Sequence, residues 1–142
     1  MIYLDTNVFI YAIENHPKYG ESCKRILMDL ENGKIKAYSS VLVLVEAINV
    51  LTKINKLLKR EGKKPLDIKE NINAILSYPI VWIDLGIFVI KRASEYDYNM
   101  LGIDYIHVAS MEINSIKKII STDEEFDEVD IIERIGPLDY KK

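Results

Sequence analysis

Four acids stand at the edge of an apolar run or inside an apolar helix, where a carboxylate needs a physical reason. Asp5 closes MIYLD, Glu46 interrupts VLVLVEAINVL, Asp104 follows MLGI and Asp123 follows KKIIST. Each has a structural explanation taken alone. Asp5 can cap a helix or end a strand, and Asp104 sits well in a first helical turn. Asp123 and Asp127 are four apart, so one helical turn would put both on the same side of a solvated face. Glu46 is expected to be largely buried, because its helix is apolar. A buried carboxylate needs a partner, either Lys53 two turns on or a cation outside the helix. If the four acids meet at one place, they repel by about 4 kcal/mol per pair at 4 Å for an effective dielectric near 20. Proteins keep such groups by binding a divalent cation or by raising pKa values. With one cysteine and two histidines there is no zinc-type ligand spacing, and an oxygen-only set suits Mg²⁺ or Mn²⁺.

The elements that must position these acids follow from apolar periodicity. Ile2–Leu4 reads as a buried strand ending at Asp5. Thr6 or Asn7 caps a short helix over Val8–Glu14, and Glu21–Asn32 carries a helical stripe that Gly33 stops. Ile35–Tyr38 is a second strand. A long helix starts at Ser39 or Ser40, runs to about Arg60 with Val41, Leu44, Val45, Ile48 and Leu51 as its apolar face, and breaks at Gly62–Pro65. Helix Ile68–Leu76, strand Ile80–Leu85 and helices Ile87–Tyr96 and Asp104–Asn114 follow, then strand Lys118–Ser121 and a fifth strand over Val129–Arg134. Strands alternating with helices make an α/β fold with a mostly parallel sheet, in which ligands bind at the carboxyl ends of the strands. Asp5 and Asp123 both fall just past such an end.

Composition sets bounds. A chain of 142 residues, 49% hydrophobic and 29% charged, suits one domain with a real core. A lone Cys23 excludes an internal disulfide. No apolar run reaches bilayer length and no basic leader precedes the first one, so a soluble, cytoplasmic protein is expected. The net charge of −3 argues against nucleic-acid binding in general, but the charge is uneven. Residues 53–64 hold six cations (Lys53, Lys56, Lys59, Arg60, Lys63, Lys64) and one acid, whereas residues 123–130 hold six acids and no cation. Metal at one place and phosphate at another would fit that split; a solvated helix end would produce the same basic run.

Taken in order, the motifs resemble the PIN domain family. MIYLDTNVFI looks like its opening, and Glu46 in SSVLVLVEAINVL matches its second acid. Asp104 in GIDYIHVASM matches the third, Asp123 in IISTDEEFD the fourth, and Asp127 the accompanying acid after the aromatic. The likeness spans essentially the whole chain. It implies a PIN-like fold, a central mostly parallel β-sheet flanked by α-helices, in a single domain over residues 1–142. It also implies an RNA phosphodiesterase using Mg²⁺ or Mn²⁺, with Asp5, Glu46, Asp104 and Asp123 catalytic and holding the metal, and Asp127 either completing the metal set or orienting one of its ligands. Thr6, Asn7 and Ser121 lie close enough in sequence to hydrogen-bond carboxylates or phosphate. The chain is similar to stand-alone toxins of VapBC-type pairs, which implies a homodimer and a small antitoxin; relatives that mature ribosomal RNA share the same acids. Two features depart from the toxin pattern: Tyr105 where an alanine often stands, and the long basic region after the Glu46 helix. His107, one turn beyond Asp104, and Tyr105 are expected to pack, and His16 is assigned no role. A haloacid-dehalogenase-type phosphatase needs a second aspartate where Asn7 stands, which removes its general acid. A non-catalytic PIN-like module binding RNA or a partner would have no reason to tolerate the repulsion of the acid set.

Overall fold

The computed structural model describes residues 1–140. Five strands form one all-parallel sheet: β1 (Ile2–Leu4), β2 (Ala37–Ser40), β3 (Ile80–Ile83), β4 (Lys118–Ile120) and β5 (Glu133–Ile135), in the order β3-β2-β1-β4-β5. The chain builds outward from β1 to β2 and β3, then crosses to β4 and β5. The order therefore reverses between β1 and β4, where an open α/β sheet has its crevice.

Side-chain alternation along the short strands feeds two cores. Leu4, Ala37 and Ile120 face one way, against α1 (Thr6–Glu14), α2 (Gly20–Glu31), α3 (Leu42–Arg60) and α4 (Ile68–Ser77). Tyr3, Ile83 and Ile119 face the other way, against Val108 and Met111 of α6 (Gly102–Ile113) and the buried Phe126 and Val129. The helix α5 (Ile87–Ala93) packs on α6 through Val89, Ala93 and Ala109. Cys23 is buried and unpaired in the first core. No helix of the described residues is long and apolar enough to cross a membrane.

Four local expectations change. Asp5, not Thr6 or Asn7, caps α1: its carboxylate accepts the Thr6 N–H at 2.8 Å. The second strand ends two residues later than expected, because Ser39 and Ser40 are buried strand residues. The Ser39 hydroxyl bonds the Leu4 carbonyl, and Ser40 Oγ accepts the Leu42 N–H. The buried face of α3 is Leu42, Val43, Ala47 and Leu51, while Val45 and Ile48 are exposed, since the helix settles on the sheet by its Val43–Ala47 side. Finally, Val129 is buried as a loop residue, and the fifth strand is Glu133–Ile135 rather than Val129–Arg134.

Candidate active site

Asp5 leaves β1 with its N–H bonded to the Ile120 carbonyl, which pins it beside the end of β4. Its Oδ2 accepts the Ser121 hydroxyl at 2.6 Å, and Ser121 Oγ in turn accepts the Asp123 N–H at 3.0 Å. The first and fourth acids are thus tied together through one serine at the crevice. Glu46 lies one turn into α3, the helix that leaves β2. Its Oε1 accepts the Thr6 hydroxyl at 2.9 Å and His107 Nε2 at 2.6 Å. Asp104 sits in the first turn of α6, and Asp123 caps a short 3-10 helix over Glu124–Glu128.

Two groups of potential ligands result. Asp5, Glu46 and His107 bring one ligand atom each within 4.8 Å of one another, and so do Asp104, Asp123 and Glu125. The groups adjoin through Ser121, which donates to Asp5 of the first and accepts the Asp123 N–H of the second. Burial, then the charges of Asp123 and Asp5, push the Asp104 carboxyl up to about 7. Burial also raises Asp5, against the opposing pull of His107 and the Ser121 hydrogen bond. Glu46 goes the other way: burial pushes it up, but the hydrogen bond and charge of His107 and the Thr6 hydroxyl together hold it below the usual glutamate range. Burial would depress His107; Glu46, Asp5 and Asp104 outweigh it and raise the imidazole. The site therefore has one well-satisfied carboxylate, Glu46, and two that are unfavourable as anions, Asp5 and Asp104.

Of the four acids, Asp5 and Glu46 fall in one group and Asp104 and Asp123 in the other, with Thr6 donating to both Asp5 and Glu46 and Ser121 donating to Asp5. Asn7 stands half-buried on the first turn of α1 and, among the described residues, makes no hydrogen bond to a carboxylate. Glu46 is half-buried rather than enclosed, and its partner is His107, not Lys53. Lys53, Lys56, Lys59 and Arg60 lie on the exposed second half of α3, with Lys63 and Lys64 just beyond it.

Asp127 is a correction. It does not join either carboxylate group but pairs with Arg134 at 2.9 and 3.0 Å. The four-residue spacing that suggested a shared side with Asp123 assumes an α-helix. The segment is 3-10, with three residues per turn, so the fourth residue points elsewhere. Asp127 reaches the site only through Arg134, which also donates to the Ser121 carbonyl at 3.1 Å. Asp127→Asn is accordingly expected to lower stability by about 0.5 kcal/mol, as for an exposed ion pair. Thermal melts check this, and an unchanged melting temperature would mean that the Arg134 pair carries no stability.

Sequence reasoning missed Glu125 and undervalued His107. Glu125 gives no signal beyond its acidic run. His107 did give one: a histidine in an apolar helix needs a buried partner, by the argument already applied to Glu46.

An all-parallel sheet with carboxylates gathered at its carboxyl rim defines an α/β protein with an acidic crevice. The model of the PIN domain matches residues 2–132, and the chain belongs to that family. Solved structures agree in fold. The chain resembles VapC20 of Mycobacterium tuberculosis, described as a sarcin-ricin loop cleaving toxin, at TM-score 0.68 and 18% identity over 94% of this chain and 98% of that one. VapBC2 from Rickettsia felis, bound to a promoter DNA fragment, matches at TM-score 0.66 and 20% identity over 96% and 98%. A toxin-antitoxin complex from Klebsiella pneumoniae matches at TM-score 0.66 and 14% identity over 96% and 98%. No curated protein matches the chain by sequence.

Proposed function

We propose that this chain is a divalent-metal-dependent ribonuclease, the toxin of a VapBC-type pair, that hydrolyses RNA phosphodiester bonds. The observation that carries the reading is the meeting of Asp5, Glu46, Asp104 and Asp123 at the β1/β4 crevice. Asp104 is there pushed up to about 7 by burial and by the charges of Asp123 and Asp5, which a bound cation would relieve. The donors are mainly carboxylate oxygens, which fits Mg²⁺ or Mn²⁺. Asp5, Glu46, Asp104 and Asp123 would hold the metal. When bound, it would lower the pKa of a water for attack on phosphorus and offset transition-state charge. The chain's own part is orientation: Ser121 and Thr6 hold Asp5 and Glu46 in fixed rotamers, and the Ser121 link sets Asp123 against Asp5.

RNA contact falls to α3. Three- and four-residue spacing puts Glu46, Asn49, Lys53, Lys56 and Arg60 on one side of the helix, so a basic row runs for about 20 Å from the site. Such a row suits a phosphate backbone approaching the carboxylates. Similarity to toxin-antitoxin complexes supports a small antitoxin partner, as does an apolar groove of about 310 Å³ lined by Phe9, Leu27, Met28, Ile75 and Tyr78. A homodimer would have the exposed Ile87, Phe88 and Leu101 as apolar side chains to cover.

The test is cleavage of single-stranded and structured RNA by the purified protein with Mn²⁺, Mg²⁺ or EDTA, repeated at rising salt. Cleavage is expected only with metal, with RNA affinity falling as salt rises. Cleavage that survives EDTA sinks the metal mechanism. Tight RNA binding without cleavage of any RNA favours a binding module instead.

A further inference from the structure

His107 is fully buried, yet both its ring nitrogens are engaged. Nε2 lies 2.6 Å from Glu46 Oε1 and Nδ1 lies 2.5 Å from the Tyr3 hydroxyl, which itself accepts the Ser40 N–H at 3.2 Å. A carboxylate only accepts, so Nε2 carries the hydrogen, and it does so whether the ring is neutral or charged. In the neutral ring Nδ1 then accepts the Tyr3 O–H, giving a directional chain from the Ser40 amide through Tyr3 and His107 to Glu46. The Thr6 hydroxyl ends on Oε1 as well. Both donors thus fall on one oxygen of Glu46, and Oε2 has no hydrogen-bond donor among the described residues. With neither nitrogen free, His107 has no lone pair to offer a cation, although one of its nitrogens lies within 4.8 Å of carboxylate oxygens of Asp5 and Glu46.

We propose that His107 is a positioning residue for Glu46. Anchored by Tyr3, it occupies Oε1 and so presents Oε2 to a divalent cation. The inference rests on the metal-dependent reading above. Partners that orient a ligand in this way are typically worth about 10–100-fold in metal affinity or activity.

The test uses two polar replacements that differ in reach. His107→Gln keeps an N–H near the Nε2 position, and His107→Asn falls short of Glu46. Mn²⁺ binding is measured without RNA, by the loss of the free-ion spin-resonance signal, beside Mn²⁺ dependence of cleavage and thermal melting. His107→Asn is expected to weaken Mn²⁺ binding about 10–100-fold, while His107→Gln stays within about fivefold of the parent. Cleavage by His107→Asn recovers most of its kcat at saturating Mn²⁺. Melting temperatures fall for both variants, so stability alone does not separate them. If both variants bind Mn²⁺ as the parent does, or if Gln is as weak as Asn, the histidine only packs and the proposal fails while the nuclease reading stands. If the parent binds no Mn²⁺, the metal-dependent reading fails and takes this proposal with it.

Discussion

Asp104→Asn is expected to abolish cleavage while making the metal-free protein more stable. The loss is about a thousandfold or more in kcat, since the substitution removes an anionic oxygen that would hold the divalent cation, and that cation would offset charge on the phosphate. The gain in stability comes from the same carboxylate. Asp104 sits at about 7 against 3.8 for an ordinary aspartate, because it is half-buried and faces Asp123 and Asp5. Between those values the folded protein binds a proton that the unfolded chain releases, so stability falls as pH rises through this window. The full shift would be worth about 4 kcal/mol. Partial solvation of the site reduces that to about 1–2 kcal/mol, or about 3–8 °C in Tm for a chain of this size. Asparagine keeps the shape and cannot ionise. Melting in EDTA should therefore show the variant above the parent, by more at pH 8 than at pH 5. Saturating Mn²⁺ should close the gap, because it stabilises only the protein that binds it. A variant less stable than the parent at pH 8 would mean that Asp104 is already compensated without metal.

The same electrostatics bear on metal uptake. With Asp104 near 7, loading at pH 6 displaces a proton, so apparent Mn²⁺ affinity should rise steeply between pH 5 and 7 and level off above it. Titration calorimetry in two buffers of different ionisation enthalpy measures the proton released. A release of zero at pH 6 would place the proton elsewhere.

Much of this site was legible in the residues because burial constrains acids so strongly. A three-residue apolar run ending in Asp5 and another ending before Asp123 are parallel strands, and in a parallel sheet their ends share one rim. Glu46 stood out by its apolar neighbours. What was not legible depended on details that periodicity does not carry. Ser39 and Ser40 look like helix starters, but a strand can bury serine when its hydroxyl finds a backbone partner, as theirs do. The 3-10 geometry of Glu124–Glu128, which turns Asp127 toward Arg134, has no signature in DEEFDE. The role of His107 depends on Tyr3, 104 residues away in the chain, and no local pattern announces that contact.

Asp5 separates catalytic from structural roles most sharply, because it is a helix cap and a site residue at once. Asp5→Ala should match Asp104→Asn in lost cleavage, about a thousandfold, but with the opposite effect on stability. It removes the acceptor for the Thr6 N–H and leaves the buried Ser121 hydroxyl without its partner. The lost cap is worth about 1 kcal/mol and the orphaned hydroxyl about 1–3 kcal/mol. Relief of the raised carboxyl offsets part of that sum, since Asp5 is itself unfavourable as a buried anion. A net loss of about 1–3 kcal/mol is expected. Asp5→Asn should lose cleavage equally but keep most of the stability, because its Oδ1 can still accept the Thr6 N–H and its amide can donate to Ser121. Urea unfolding of both variants beside Asp104→Asn gives the ordering: Asp104→Asn above the parent, Asp5→Asn near it, Asp5→Ala below it. If Asp5→Ala unfolded at the same urea concentration as Asp5→Asn, the cap and the Ser121 link would carry no stability. The tie between Asp5 and Asp123 would then be a consequence of the fold rather than one of its supports.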